Sequence, residues 1–153
     1  MKMLHTNEIE RILSHDKRTK NFFRGVFAKD ELPLQATTSS LYICNTDPST
    51  RGGEHWVAIY FDKKRHGELF DSFGMLRPLE KEFERFLTRN SVSWFRNNKT
   101  VQHVLSDACG YHCIFFAVYR CLGYDMNAII NMYTNNLMYN DVIVKNFVRD
   151  YIQ

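Results

Sequence analysis

Residues that break, cross-link or anchor a chain are scarce in this sequence. Proline occurs 3 times and glycine 7 times among 153 residues, against 8 Tyr and 12 Phe, which excludes a low-complexity or disordered chain. The 4 cysteines do not form the pattern of a disulfide framework, so we expect a reducing compartment. No apolar run reaches transmembrane length, and residues 1–5 lack the apolar core of a signal peptide. We therefore expect neither a membrane span nor secretion.

The rest of the composition is that of an ordinary globular protein. Hydrophobic residues make up 44% of the chain and charged residues 24%. A chain of this length can bury a sizeable core, and it contains neither a linker nor an internal repeat, so we expect one domain over residues 1–153. The net charge of +3 permits an acidic partner without requiring one.

A helix-length apolar run over residues 110–122 is the segment around which the chain is organised. It follows two good N-cap residues, Ser106 and Asp107, and is apolar nearly all round, which is typical of a helix packed on several sides. Cys109 would lie in its first turn, where the positive end of the helix dipole favours a thiolate. Free cysteines are more often inert core residues. Cys109 is a candidate nucleophile only because of the residues upstream.

A predicted β-hairpin supplies a histidine and a carboxylate. Residues 55–61 are too uniformly apolar for a half-exposed strand and predict a central one, and residues 68–71 predict the returning strand. With the turn centred near Lys63, His55 and Asp71 would lie opposite each other at the open end of the hairpin. A carboxylate in that position fixes the imidazole tautomer and stabilises its charged form.

A further strand is predicted over residues 100–104, immediately before the cysteine helix. It would present Gln102 as a donor to an oxyanion. Taken singly, each residue has a more ordinary interpretation, such as a strand-edge histidine or a turn-forming aspartate. Together they supply a base, an orienting acid, an oxyanion donor and a nucleophile, in the chain order His55, Asp71, Gln102, Cys109.

This order and the flanking residues resemble those of the adenovirus maturation protease (adenain) family of cysteine peptidases. The segment 52–56, Gly-Gly-Glu-His-Trp, and the segment 69–74, Leu-Phe-Asp-Ser-Phe-Gly, look like two motifs of that family. Gln102 lies seven positions before the cysteine, and Ala108 directly precedes it, as in adenain. The proteases of SUMO and other ubiquitin-like proteins share the order of the four residues but match less closely.

The resemblance implies an α+β fold in which a central mixed sheet carries the histidine and the acid, and a buried helix carries the cysteine at its N-terminus. It implies a viral or virus-like endopeptidase that cleaves structural precursor proteins at Gly-containing sites during particle maturation. Trp56, Gly53 and Gly110 would line the substrate cleft. We expect a monomer, acting on polypeptides in the host nucleus or cytoplasm and packaged in the virion in some cases.

The resemblance is not complete. Asp71 stands where adenain has Glu, although the SUMO-type relatives have Asp there. No cysteine occurs between Cys44 and Cys109, so the disulfide-linked activating peptide of adenain is not expected here. No cofactor or metal is required by the chemistry, and activation by DNA or by a viral peptide stays open.

The sequence leaves three other functions open. The same catalytic residues could remove ubiquitin-like modifiers, or they could transfer acyl groups, although no acetyl-CoA motif is present. A zinc-binding module could use Cys109, His112, Cys113 and Cys121. Cys121 lies about 18 Å along a helix from Cys109, however, so the four side chains cannot form one tetrahedral site.

Overall fold

The structure is a computed structural model that describes residues 3–49 and 55–151. Five strands form one mixed sheet in sequential order. The outer pairs, β1–β2 and β4–β5, are parallel, and the inner pairs are antiparallel. The strands are β1 (Phe23–Ala28), β2 (Ser40–Asn45), β3 (Trp56–Phe61), β4 (His66–Phe70) and β5 (Ser93–Arg96).

Helices cover both faces of this sheet. They are α1 (Thr6–His15), α2 (Lys81–Asn90), α3 (Cys109–Cys121), α4 (Met126–Ile130) and α5 (Leu137–Tyr151), with a 3₁₀ turn over Gly74–Leu76. The helix α3 is buried at every position from Cys109 to Val118. It packs against β3 on one side and against α5 on the other. Within the described ranges, no helix is long and apolar enough to cross a bilayer.

Strand alternation divides the buried side chains into two cores. The central strand β3 is buried at all six positions, as predicted, because alternate residues belong to opposite faces of the sheet. The face shared with α1, α3 and α5 receives Leu41, Ile43, Trp56, Ala58, Tyr60 and Phe70. The face covered by α2 receives Tyr42, Cys44, Val57, Ile59, Phe61 and Leu69. The α+β architecture with a buried cysteine helix is therefore confirmed.

The predicted register of the hairpin is wrong by two residues. In the structure Ala58 pairs with Phe70, so the hairpin is centred on residue 64 rather than on residue 63. The turn is set by Asp62, whose carboxylate accepts hydrogen bonds from the backbone N–H groups of Lys64 and His66 at 2.9 and 2.8 Å. His55 and Asp71 are consequently diagonal neighbours, each one residue beyond its strand.

The predicted strand over residues 100–104 is also wrong, since this segment is irregular. Its backbone bonds to a loop instead of a strand: the N–H groups of Val101 and Gln102 both donate to the Ser72 carbonyl. The predicted caps Ser106 and Asp107 lie before the true N-cap of α3, which is Ala108. The helix therefore begins at Cys109 itself.

Candidate active site

The end of the sheet beside α3 carries a buried histidine–aspartate pair. His55 Nε2 lies 2.7 Å from Asp71 Oδ1, and the two residues are 1% and 4% exposed. A carboxylate can only accept a hydrogen bond, so Nε2 carries the proton and donates the hydrogen bond to Asp71. The other ring nitrogen, Nδ1, is left for a different partner. His55 also hydrogen-bonds with Cys109 at the N-terminus of α3.

The carboxylate is itself held by its surroundings. Its Oδ1 atom accepts a second hydrogen bond from the backbone N–H of Phe73 at 2.9 Å. The buried side chain of Asn97 holds the main chain of Asp71 from both sides: its Oδ1 accepts from the Asp71 N–H at 2.8 Å, and its Nδ2 donates to the Asp71 carbonyl at 2.7 Å. The acid therefore meets the imidazole in a fixed orientation.

The environment of His55 favours the imidazolium form. Burial lowers the pKa of His55, but the hydrogen bonds to Asp71 and Cys109 and their negative charges outweigh burial and raise the pKa to about 9. The Phe73 ring stacks on the imidazole, with ring centroids 4.7 Å apart and an angle of 25° between the planes. An imidazolium beside a thiol at a helix N-terminus is the arrangement that stabilises a thiolate.

The side chain of Gln102 is completely buried between two serines. Its Oε1 accepts a hydrogen bond from the Ser72 hydroxyl. Its Nε2 donates to the Ser106 carbonyl at 3.0 Å and to Ser106 Oγ at 3.1 Å. The carboxamide N–H groups thus point toward Ser106, in the loop that enters α3.

Several hydrogen bonds join the loop after Asp71 to the segment that contains Gln102. The Ser72 carbonyl accepts from Val101 and Gln102, and Thr100 Oγ1 donates to the Phe73 carbonyl at 2.8 Å. At Gly74 the backbone φ is +59°, and a Cβ atom would lie 2.5 Å from the Asn98 carbonyl oxygen. Only glycine allows this approach of the two loops.

Of the residues predicted to line the cleft, two lie within the described ranges. Trp56 is 4% exposed and borders a surface pocket of about 150 Å³ formed with residues 3–7. Gly110 is buried, and a Cβ there would come within 3.2 Å of the Leu4 Cβ, so it allows the N-terminal segment to pack on α3. Gly53 lies outside the described residues.

Sequence reasoning missed the residues that support this site. Ser72, Phe73 and Asn97 were assigned no role in the site, and Ser106 was predicted only as a helix cap. One signal was present for Ser72 and Phe73, since both lie in the segment directly after the acid. Nothing local marked Asn97, and the cap prediction for Ser106 did not indicate its contact with Gln102, because these partners are set by the path of the loops.

The other three cysteines lie in surroundings that disfavour thiolates. Burial raises the pKa of Cys121 to about 12 and also raises the pKa values of Cys44 and Cys113. All four cysteines are free thiols. Among residues 3–49 and 55–151, no three His, Cys, Asp or Glu side chains are grouped closely enough to hold a metal ion.

A second buried histidine lies one turn along α3. His112 Nε2 is 2.8 Å from Asp141 Oδ1, and its Nδ1 is 3.0 Å from the Tyr133 hydroxyl. Burial lowers the pKa of His112, and the hydrogen bond to Asp141 offsets only part of this effect. The neutral ring therefore donates to Asp141 and accepts from Tyr133, which ties α3 to α5.

This network predicts a loss of stability in acid. An unfolded histidine binds a proton near pH 6.5, whereas folded His112 resists protonation, so the free energy of unfolding should fall as pH drops below 6.5. The slope is at most about 1.4 kcal/mol per pH unit. The raised pKa of His55 affects stability at alkaline pH instead. Its contribution to the free energy of unfolding is complete below pH 6.5 and is lost as pH rises through about 9.

Urea unfolding between pH 5 and 7.5 measures the acid effect. His112→Gln should flatten the dependence on pH, while His103→Gln, at a partly exposed site, should leave it unchanged. Parallel curves for the wild type and His112→Gln would contradict the assignment.

A buried cysteine at a helix N-terminus, with a histidine and a carboxylate on the neighbouring sheet, is the arrangement of the cysteine peptidases. Comparison with known sequences identifies the family of cysteine peptidases. The chain belongs to the adenovirus endoprotease family, whose model matches residues 23–146. It is 31% identical over 110 residues to a protease of Bovine adenovirus C serotype 10, covering 62% of this chain and 56% of that protein.

Two further adenovirus proteases are similar to this chain at comparable identity. A protease of Human adenovirus A serotype 12 is 32% identical over 115 residues, covering 66% of this chain and 50% of that protein. A protease of Bovine adenovirus 4 is 28% identical over 123 residues, covering 72% and 61%. The chain therefore spans about half the length of the curated relatives it matches.

Two solved structures share the fold. A crystal structure of an ASFV protease superposes with a TM-score of 0.51 at 22% identity, covering 68% of this chain and 43% of that one. The central domain of an uncharacterised Legionella pneumophila protein gives a TM-score of 0.51 at 12% identity, covering 98% of this chain and all of the other.

Proposed function

We propose that this chain is a viral cysteine endopeptidase that uses Cys109 as nucleophile, His55 as base and acid, Asp71 as orienting carboxylate and Gln102 as oxyanion donor. The observation that carries the proposal is the 2.7 Å pair of His55 and Asp71 buried beside the cysteine at the N-terminus of α3. We further propose that its substrates are structural precursor proteins of a virus particle, cut at Gly-containing sites during maturation.

Acylation follows from these positions. In the starting state the Cys109 proton lies on His55 Nδ1, so that a thiolate stands beside an imidazolium, which Asp71 stabilises through Nε2–H. The thiolate attacks the carbonyl carbon of the scissile peptide, and the carbonyl oxygen becomes an oxyanion. Gln102 Nε2–H and the Cys109 backbone N–H donate to it, since N–H groups in the first turn have no preceding helical carbonyl to bond. Each donor contributes about 3 kcal/mol in the transition state.

Collapse of the tetrahedral intermediate completes the cycle. His55 gives its proton to the leaving amine nitrogen as the carbon–nitrogen bond breaks, which leaves a thioester on Cys109. Water then attacks the thioester carbon, and His55 takes a proton from that water. The carbon–sulfur bond breaks, the acid product leaves, and the proton on His55 restores the starting ion pair with the thiolate.

The proposal extends to the cleft and to activation. Trp56, Gly53 and Gly110 are assigned to the cleft, and small residues such as Gly next to the cut would suit a nucleophile that is only 3% exposed. Cys44 is fully buried in the core of β2, so a peptide cofactor would bind without a disulfide to it. We place the enzyme in the host nucleus or cytoplasm, as a monomer.

Alkylation of the native protein with iodoacetamide, mapped by mass spectrometry, tests the nucleophile. Cys109 should be modified first, because the pKa values of the other three thiols are raised by burial. These thiols serve as internal controls within one molecule. Peptides with Gly at the cut, with and without duplex DNA, then test turnover. Modification of Cys121 before Cys109, with no peptide cut under either condition, would refute the proposal.

A further inference from the structure

We propose that Ser72 is a positioning residue for the oxyanion donor. Its hydroxyl fixes the carboxamide of Gln102 with the NH₂ group toward the substrate, and the hydroxyl of Ser106 occupies that NH₂ group until a substrate oxyanion replaces it. This inference rests on the proposed function, and it concerns what orients Gln102 rather than what Gln102 does.

The orientation of the carboxamide follows from the chemistry of its neighbours. A glutamine side chain can occupy the same space with its oxygen and nitrogen exchanged, and only one of the two orientations offers a donor to an oxyanion. The Ser106 backbone carbonyl lies 3.0 Å from one end of the Gln102 amide. A carbonyl can only accept a hydrogen bond, so this end is the NH₂ group and the opposite end is Oε1.

Ser72 secures that opposite end. Its hydroxyl donates to Oε1, and the residue is only 1% exposed, so water does not compete for the bond. Its carbonyl accepts from the backbone N–H groups of Val101 and Gln102 at 2.9 and 3.1 Å. Ser72 therefore holds both the main chain and the side chain of the donor. It also directly follows the acid Asp71, which couples the two parts of the site.

The NH₂ end is occupied in the free protein. Its two N–H groups point to the carbonyl and to Oγ of the same residue, Ser106, at 3.0 and 3.1 Å. Ser106 is partly exposed, and its Oγ also accepts from the Ala108 N–H at 3.1 Å. A hydroxyl can turn away by side-chain rotation, whereas the carbonyl cannot. Because an oxyanion is a stronger acceptor than a neutral hydroxyl, it takes the N–H that Ser106 Oγ holds.

Two reactions at the same sulfur separate positioning from nucleophilicity. With p-nitrophenyl acetate, Cys109 Sγ bonds to the carbonyl carbon and an oxyanion forms. The carbonyl then re-forms as the bond to p-nitrophenolate breaks, which leaves an acetyl thioester on Cys109. With iodoacetamide, Sγ displaces iodide and no oxyanion forms. The ratio of the two second-order rate constants, both mapped to Cys109, therefore reports on the oxyanion donor and requires no natural substrate.

For Ser72→Ala we expect the alkylation rate of the wild type and an acylation rate lower by about tenfold, the equivalent of one lost hydrogen bond. Gln102→Ala should lower the ratio by about 10²–10³-fold. In the Gln102→Ala background, Ser72→Ala should change nothing further. Ser72→Cys, with a weaker donor of similar size, should give an intermediate ratio and serves if the alanine variant does not fold.

Ser40→Ala is the matched control, because Ser40 is equally buried and its hydroxyl also makes one hydrogen bond, to the Thr37 carbonyl in a distant turn. Its ratio should equal that of the wild type. An unchanged ratio in Ser72→Ala, or an equal fall in Ser40→Ala, would overturn the inference. If the ratio falls as expected while no polypeptide is cut, the proposed function fails and the positioning role stands.

Discussion

Replacement of Cys109 by alanine is expected to lower kcat/KM for peptide cleavage by about 10⁶-fold, since loss of a nucleophile removes the covalent route altogether. The fold should survive, because alanine has the highest helix propensity and the change falls in the first turn of α3. The measurement is steady-state cleavage of a Gly-containing peptide, together with thermal unfolding to show that the variant is folded.

Cys121→Ala is the control for this change. It makes the same substitution at the last residue of α3, where the side chain is half-buried and lies outside the site. It should retain the activity of the wild type. Activity of Cys109→Ala within about 100-fold of the wild type would mean that another group performs the attack.

Replacement of His55 by alanine has the second-largest expected effect, a loss of about 10²–10⁴-fold in kcat/KM, which is the usual contribution of a positioned acid and base. Alkylation of Cys109 should slow as well, since the thiolate loses its imidazolium partner. In the wild type the pKa of His55 is raised to about 9, so the imidazolium persists through neutral pH. The rate of cleavage should therefore decline as pH rises through 9, and this decline should be absent from the variant's residual activity.

A natural control lies at the other end of the same hairpin. His66 Nδ1 is 3.1 Å from Asp62 Oδ2, so this histidine also pairs with an aspartate, but its side chain is 48% exposed and distant from Cys109 in the fold. His66→Ala should keep wild-type cleavage and alkylation rates. If both variants lose activity equally, the hairpin as a whole and not the imidazole of His55 would be responsible.

The pairing of His55 with Asp71 could be predicted although the register could not. Strand side chains alternate between faces, so an error of one residue would have put the two on opposite sides of the sheet. The actual error is two residues, which moves a pair from directly opposite to diagonal and keeps it on one face. The cause is local, since the Asp62 carboxylate accepts hydrogen bonds from the backbone N–H groups of Lys64 and His66, which fixes the turn around residue 64.

The segment before the cysteine helix was harder to predict. Residues 100–104 contain β-forming residues, yet their backbone makes no ladder of hydrogen bonds with a neighbouring strand among the described residues. It hydrogen-bonds instead to the Ser72 carbonyl and to the Asn140 side chain. Such partners depend on where two loops meet in space. Sequence patterns encode periodicity within one element, so they did not indicate the contact of Asn97 with Asp71 or that of Ser106 with Gln102, which arise only from that meeting.

The hydrogen bonds that join residues 97–102 to residues 71–74 determine how this part of the site unfolds locally. The amide protons of Val101 and Gln102 are held by the same carbonyl oxygen, and the Asp71 amide is held by a side chain from the same loop. Hydrogen bonds that share partners break together, so these amides should exchange with solvent from one locally unfolded state. The Asp71 carboxylate and the Gln102 carboxamide are thus displaced and restored together, as one cooperative unit.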